Sequence, residues 1–104
     1  MIDYYLEPAA DRQLDDIYLY TYAHWGADQA DLYISGLFTR FNAIAKREAI
    51  WRRIAAEYEV DGYYCRYERH FIYWMQRSDG EIGIVAILHE SMELKDRLRE
   101  ILGP

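Results

Sequence analysis

Between Gly62 and Met92 three apolar runs follow one another with room for only two tight turns, and a sheet is the simplest structure that uses them. Tyr, Phe, Ile, Val and Trp fill the runs, the residue types that suit a pleated surface. Asp79-Gly80 supplies a hairpin turn; its backbone needs positive φ, which Gly adopts cheaply. The spacing predicts an antiparallel meander of Gly62–Tyr67, His70–Gln76 and Ile82–Leu88. Its middle strand, Phe71-Ile72-Tyr73-Trp74-Met75, is apolar on both faces, so both faces are expected to be covered.

The first half of the chain reads as that cover. Ile2, Tyr4 and Leu6 alternate with Asp3, Tyr5 and Glu7, a half-buried strand pattern. Pro8 suits the first position of a helix, where its missing N–H costs nothing. Ala10, Leu14, Ile17, Tyr18 and Thr21 form one helical stripe, and Trp25-Gly26 ends it, with Gly26 suited to a left-handed position. A second helix is predicted from about Asp28 to Lys46, apolar at Ala30, Tyr33, Ile34, Leu37, Phe38, Phe41, Ile44 and Ala45. The short turn between the two makes an antiparallel hairpin.

Glu48 to Asp61 has no clean pattern and is expected to be a short helical or irregular connection. After the meander, Leu94, Leu98, Ile101 and Leu102 predict a short helix with Ser91 as N-cap, Gly103 as terminator and a Glu93–Arg97 pair. Strand, helix, helix, three strands, helix is an α+β order, with helices segregated to one face of a mostly antiparallel sheet. One domain over residues 1–104 accommodates all of it.

Twelve Lys and Arg against eighteen Asp and Glu give a net charge of −6. That balance counts against a nucleic-acid binder, whose affinity comes largely from phosphate neutralisation, and favours a basic protein partner. The single cysteine, Cys65, has no internal partner and reads as a small hydrophobe in a cytoplasmic protein. The first residues form neither a signal peptide nor a membrane span.

No phosphate loop, paired-cysteine spacing, G-x-S-x-G or H-E-x-x-H motif occurs, so no cofactor or metal is expected. The histidines are scattered, and His24 reads as a helix-terminal residue. Arg66, Arg69, His70, Arg77 and His89 gather on or beside the meander. In a ribonuclease, arginines would hold the scissile phosphate and His or Glu would move protons. The bland reading pairs Arg66 and Arg69 with Glu68. For His89, chemistry and a satisfied structural hydrogen bond stand side by side. Eleven tyrosines exceed what a core of this size can hydrogen-bond. Tyr4, Tyr5, Tyr18, Tyr20, Tyr22, Tyr63, Tyr64 and Tyr73 are therefore expected to be partly exposed, some of them at an interface.

The chain resembles the ParE group of the RelE/ParE toxin superfamily over nearly its whole length. The likeness rests on Y-T-x-x-x-W-G at Tyr20 to Gly26, on Ala30, Tyr33, Leu37 and Phe41, on Arg66-Tyr67-Glu68, and on I-L-H-E-x-M at Ile87 to Met92. It implies a RelE/ParE-like fold and a plasmid-stabilisation toxin of a type II toxin–antitoxin module. A ParD-like antitoxin would neutralise it, and DNA gyrase would be inhibited by protein–protein binding, without direct DNA contact or membrane association. The target surface would be Arg66, Arg69, His70, His89 and Met92 together with the C-terminal helix. The antitoxin would lay a helix on the hairpin at Leu14, Tyr18, Tyr22, Trp25, Tyr33 and Leu37, or add a strand to a sheet edge. An alternative is a RelE-like ribosome-dependent mRNA endoribonuclease, with His89 as acid or base and Arg66 and Arg77 on phosphate. Another is a degenerate, non-toxic binding partner. The chain departs from the family in lacking prolines before the meander, where Arg53 and Ala55 stand. It also carries Glu90 after His89 where some ribonuclease relatives have tyrosine, which argues against RNA cleavage.

Overall fold

The computed structural model describes residues 3–103, so Ile2, which opens the expected first strand, lies outside the described residues. The elements are β1 (Tyr4–Leu6), α1 (Pro8–Trp25), α2 (Ala27–Ala45), β2 (Arg52–Arg53), β3 (Tyr63–Tyr67), β4 (His70–Gln76), β5 (Ile82–His89) and α3 (Leu94–Leu102). They form one five-stranded sheet in the order β1-β5-β4-β3-β2. Only the β1–β5 pairing is parallel. The α+β class, the N-terminal strand, the helix hairpin, the meander and the C-terminal helix are as the patterns predict.

Pro8 opens α1 with Asp11 in its first turn, and Gly26 at φ +89° reverses the chain into α2. Apolar periodicity aims Ala10, Leu14 and Ile17 of α1, and Leu37, Phe41 and Ile44 of α2, at one sheet face. They meet Ile72, Trp74, Ile82, Ile84 and Ile87 there. The opposite face carries Tyr73, Val85, Ala86 and Leu88 under Leu98 of α3 and Ile54. Both faces of β4 are therefore covered. A fully buried Leu, Ile or Phe contributes about 1.5–3 kcal/mol, whereas an exposed ion pair such as Arg99–Glu59 (2.6 Å) contributes about 0–1 kcal/mol. Packing, not charge, holds these layers together.

Five details differ from the sequence reading. The irregular connection contains β2, a two-residue strand with no periodicity of its own, which β3 recruits by pairing, and a 3-10 turn at Ala56–Tyr58. α3 lies on the sheet face away from the hairpin. Ser91 does not cap α3; the helix starts at Leu94 after Glu93. Arg97 pairs with Glu100 at 3.7 Å and not with Glu93. Tyr73 is buried, not exposed, because β4 has covers on both sides.

Arg77 N–H bonds to Glu81 O (2.7 Å) and Gly80 N–H to Arg77 O (2.9 Å) across the β4–β5 turn. Gly80 at φ +90° supplies the backbone that this turn requires. No helix among the described residues is long and apolar enough to cross a membrane.

Candidate functional site

One irregularity in the sheet assembles the meander end. From Gln76↔Ile82 to Trp74↔Ile84 the β4–β5 register runs regularly; then it shifts, and Tyr73 opposes Ala86. Two consecutive residues, Val85 and Ala86, consequently pack toward the α3 face. Alternation resumes one residue out of step, so Ile87 returns to the hairpin face with Ile82 and Ile84. A bulge inverts the side-chain parity of whatever follows it. His89, which unbroken alternation from Ile82 would set on the α3 face, instead stands opposite His70. The two rings meet edge to face with centroids 5.1 Å apart.

α1 supports this arrangement. β1 stops at Leu6, and past its end the Ile87 N–H is accepted by Gln13 Oε1 at 2.6 Å. Gln13 had no signal in the sequence beyond lying off the apolar stripe. Replacing it with Leu should strand that amide and cost about 1–3 kcal/mol, a loss readable as a lower urea midpoint. Amide exchange should then rise first around Ile87 to His89.

Tyr33 of α2 closes the cluster. Its Oη lies 2.6 Å from His70 Nδ1. Burial, reinforced by His89 and opposed by Glu90, pushes the His70 pKa down to about 4. Burial also pushes Tyr33 up to about 12, against the backbone N–H of Arg69. At neutral pH the imidazole is thus uncharged and the phenol keeps its proton, so we assign Tyr33 as donor to Nδ1, leaving the His70 proton on Nε2. On His89, Nδ1 accepts the Ser91 N–H at 3.0 Å and lies 2.7 Å from Ser91 Oγ. With Nδ1 acting as acceptor, the ring N–H is the one on Nε2.

Glu90 organises the arginines. Its carboxylate bonds Arg66 Nη2 through one oxygen and Arg69 Nη1 through the other at 3.1 Å. Partial burial pushes the Glu90 carboxyl up, but the two guanidinium groups outweigh it and hold the pKa below the ordinary value. Arg66 also donates from Nε to the Glu68 carbonyl at 2.8 Å, so both arginines answer to Glu90 and not to the Glu68 carboxylate. Met92 is exposed beside this cluster in sequence.

Arg77 is elsewhere. It follows the far end of β4, a seven-residue strand spanning about 20 Å at roughly 3.3 Å per residue. There it pairs with Glu7 at 2.9 Å and lies 4.7 Å over the Tyr5 ring. Arg77 and His89 therefore cannot hold and cleave one phosphodiester. No group of three or more His, Cys, Asp or Glu among the described residues is placed to hold a metal ion.

The residues expected on the hairpin surface divide. Leu14 and Leu37 point into the core, and Tyr33 belongs to the histidine cluster. Tyr22 and Trp25 are exposed, and half-buried Tyr18 bonds Asp31 of α2 at 3.2 Å. Around them are Leu19, Tyr20 and Leu32, the last 67% exposed. For Leu19, Tyr20, Tyr22 and Trp25, a position on α1 off the Ala10–Leu14–Ile17–Thr21 stripe was the available signal. His24 stacks on Tyr20 (4.0 Å) and donates from Nδ1 to the Tyr20 carbonyl (2.8 Å), consistent with a helix-terminal residue. Cys65 is half-buried against the core, and burial raises its thiol pKa despite Arg40 nearby.

A family model described as ParE toxin of type II toxin–antitoxin system, parDE, matches residues 4–94. Toxin ParE1 of Mycobacterium tuberculosis (strain H37Rv) is 31% identical over 96 residues, covering 91% of this chain and 96% of the relative. Toxin ParE of Escherichia coli is 31% identical over 102 residues, 98% of each chain.

Proposed function

From the fact that this chain belongs to the ParE toxin family of type II toxin–antitoxin systems, we propose that it arrests growth by binding a protein target, DNA gyrase, and that a ParD-like antitoxin neutralises it. The target surface is the meander end, with Arg66, Arg69, His70, His89 and Met92. The antitoxin surface is the outer hairpin, where Tyr18, Tyr22 and Trp25 offer aromatic anchors of the kind that dominate interfaces.

One observation favours binding over RNA cleavage: Glu90 occupies both arginines that would otherwise face a phosphate. A ribonuclease would need free cations beside a proton carrier, and a fixed carboxylate there repels the substrate backbone. His70 is half-buried, neutral and committed to Tyr33, which makes it a structural support for His89 and not a proton carrier.

The test runs the purified toxin in a gyrase supercoiling assay and, in parallel, on translating ribosomes. Inhibited supercoiling with intact mRNA is expected. Arg69→Ala and His89→Ala, both at the surface, should weaken inhibition about tenfold or more while leaving the thermal midpoint within a few degrees. Cleaved mRNA with undisturbed supercoiling would sink the proposal.

A further inference from the structure

The chain is acidic, yet four of its twelve Lys and Arg fall within Lys46 to Arg53, accompanied there by one carboxylate, Glu48. Lys46, Arg47, Arg52 and Arg53 are all exposed, and none is in an ion pair among the described residues. Arg66, Arg69, Arg77, Arg97 and Arg99 are each tied to a carboxylate, whereas, among the described residues, this cluster of four is not. It also coincides with an open edge of the sheet, because among the described residues β2 pairs with β3 on one side and with no strand on the other.

The backbone of that edge is oriented for a partner. Ile54 N–H donates to Gly62 O at 3.0 Å, and the register that pairs Arg53 with Tyr63 sets Ile54 opposite Gly62, so this is a bonded position of the ladder. Hydrogen-bonded and non-hydrogen-bonded pairs alternate in an antiparallel ladder. Arg52↔Tyr64 is then again a bonded pair, and Arg53↔Tyr63 is the non-bonded pair between them. The N–H and C=O of Arg53 consequently face outward from the open edge.

The side chains on either side of it are also arranged. Arg53 shares a face with Tyr63, its guanidinium 5.5 Å from that ring, and Arg47 stacks 3.5 Å over Trp51 and donates to Gln76 Oε1 at 3.1 Å. Arg52, one residue along the strand, projects to the opposite face. Ile50, 70% exposed, sits beside them in sequence. Charges on an edge commonly serve to prevent edge-to-edge pairing. Such a role needs only free, solvated cations; it does not account for guanidinium groups held against aromatic rings or for an exposed isoleucine among them.

We propose that the β2 edge is a docking site for an extended acidic segment of a protein partner, added as a sixth strand. The partner's backbone would bond the Arg53 N–H and C=O. Its carboxylates, alternating from face to face, would meet Arg53 and Arg47 on one side and Arg52 on the other. A strand offers acids to both faces at once, whereas a nucleic-acid backbone approaches from a single side, so the two-sided arrangement of cations favours the peptide. The proposal stands on edge geometry and charge and is independent of the cellular target.

The probe is a capped ten-residue peptide of alternating Glu and Val, compared with its Lys-for-Glu counterpart and with a short DNA duplex, each titrated into the full chain with amide resonances observed. The acidic peptide should shift the Arg53 amide and slow its hydrogen exchange. Arg52→Glu combined with Arg53→Glu should weaken binding about tenfold or more, the milder pair Arg52→Gln and Arg53→Gln less, with unchanged far-ultraviolet circular dichroism in both. Equal effects of the acidic and basic peptides, no perturbation at Arg53, or perturbation of Arg53 by the duplex in preference to the peptide would each overturn it.

Discussion

Truncating Leu37 to Ala is expected to cost the fold about 2–5 kcal/mol, and truncating Trp25 to Ala within about 0.5 kcal/mol of nothing. Both residues are apolar and both lie on the helix hairpin, but Leu37 is fully buried between α2 and the sheet, whereas Trp25 is 65% exposed at the end of α1. A Leu→Ala change in a packed core loses the transfer free energy of the side chain and leaves a cavity. Against a total stability of about 5–15 kcal/mol, that loss is a large fraction, and the thermal midpoint should fall by on the order of 10 °C or more. The order should reverse for antitoxin affinity. Trp25→Ala is expected to weaken it by about 2 kcal/mol or more, as for an aromatic anchor, while Leu37→Ala acts only through folding. Urea denaturation and binding titrations measured on the same preparations separate the two effects. An unchanged urea midpoint for Leu37→Ala, with lost antitoxin binding, would place that side chain on the surface and contradict the packing described above.

Acidification from pH 6.5 should weaken the fold through His70, before the loss at Glu90 is added at lower pH. In the folded protein His70 has its pKa pushed down to about 4 from an ordinary 6.5. Between those values the unfolded chain binds the proton that the folded chain refuses, so stability falls as pH falls. Above pH 6.5 both states are neutral and the contribution is flat. Taken at face value the window corresponds to about 3 kcal/mol at 1.36 kcal/mol per unit; His70 is only partly buried, and solvent screening reduces the expectation to on the order of 1–2 kcal/mol. Below the ordinary carboxylate value of 4.5, Glu90 adds its own loss, because its pKa is depressed in the folded state. Chemical denaturation at a series of pH values should therefore show a slope between 6.5 and 4.5 that His70→Asn flattens. Persistence of the slope in that variant would remove His70 as its source. Tyr33→Phe, which leaves the His70 Nδ1 without its donor, should steepen nothing but lower the whole curve by about 1–2 kcal/mol.

Much of the architecture is local information. The stripe at Ala10, Leu14, Ile17 and Thr21, the longer one on α2, the β-branched and aromatic runs of the meander and the Asp79-Gly80 turn each declare an element without reference to any other. The same patterns name the buried residues Leu14 and Leu37, although assigning them to a partner surface confuses the inner face of the hairpin with the outer one. β2 was illegible for the opposite reason: a two-residue strand has no period and exists only because β3 offers a ladder.

The sequence by itself thus determined the class of fold, the order of its elements and the segment, Ile87 to Glu90, in which the candidate site lies. Which residues share that site only the tertiary structure decided. A bulge at Val85 and Ala86 reverses the parity of β5 and brings His89 to His70. Tyr33 reaches the cluster from α2, Gln13 supports it from α1, and Arg77 is removed to the other end of β4. Glu90 turns two apparent phosphate ligands into a fixed ion cluster. The physical reason is one of range: periodicity records which way a side chain faces within its own element, while register, bulges and ion pairing depend on elements tens of residues away and leave no period to read.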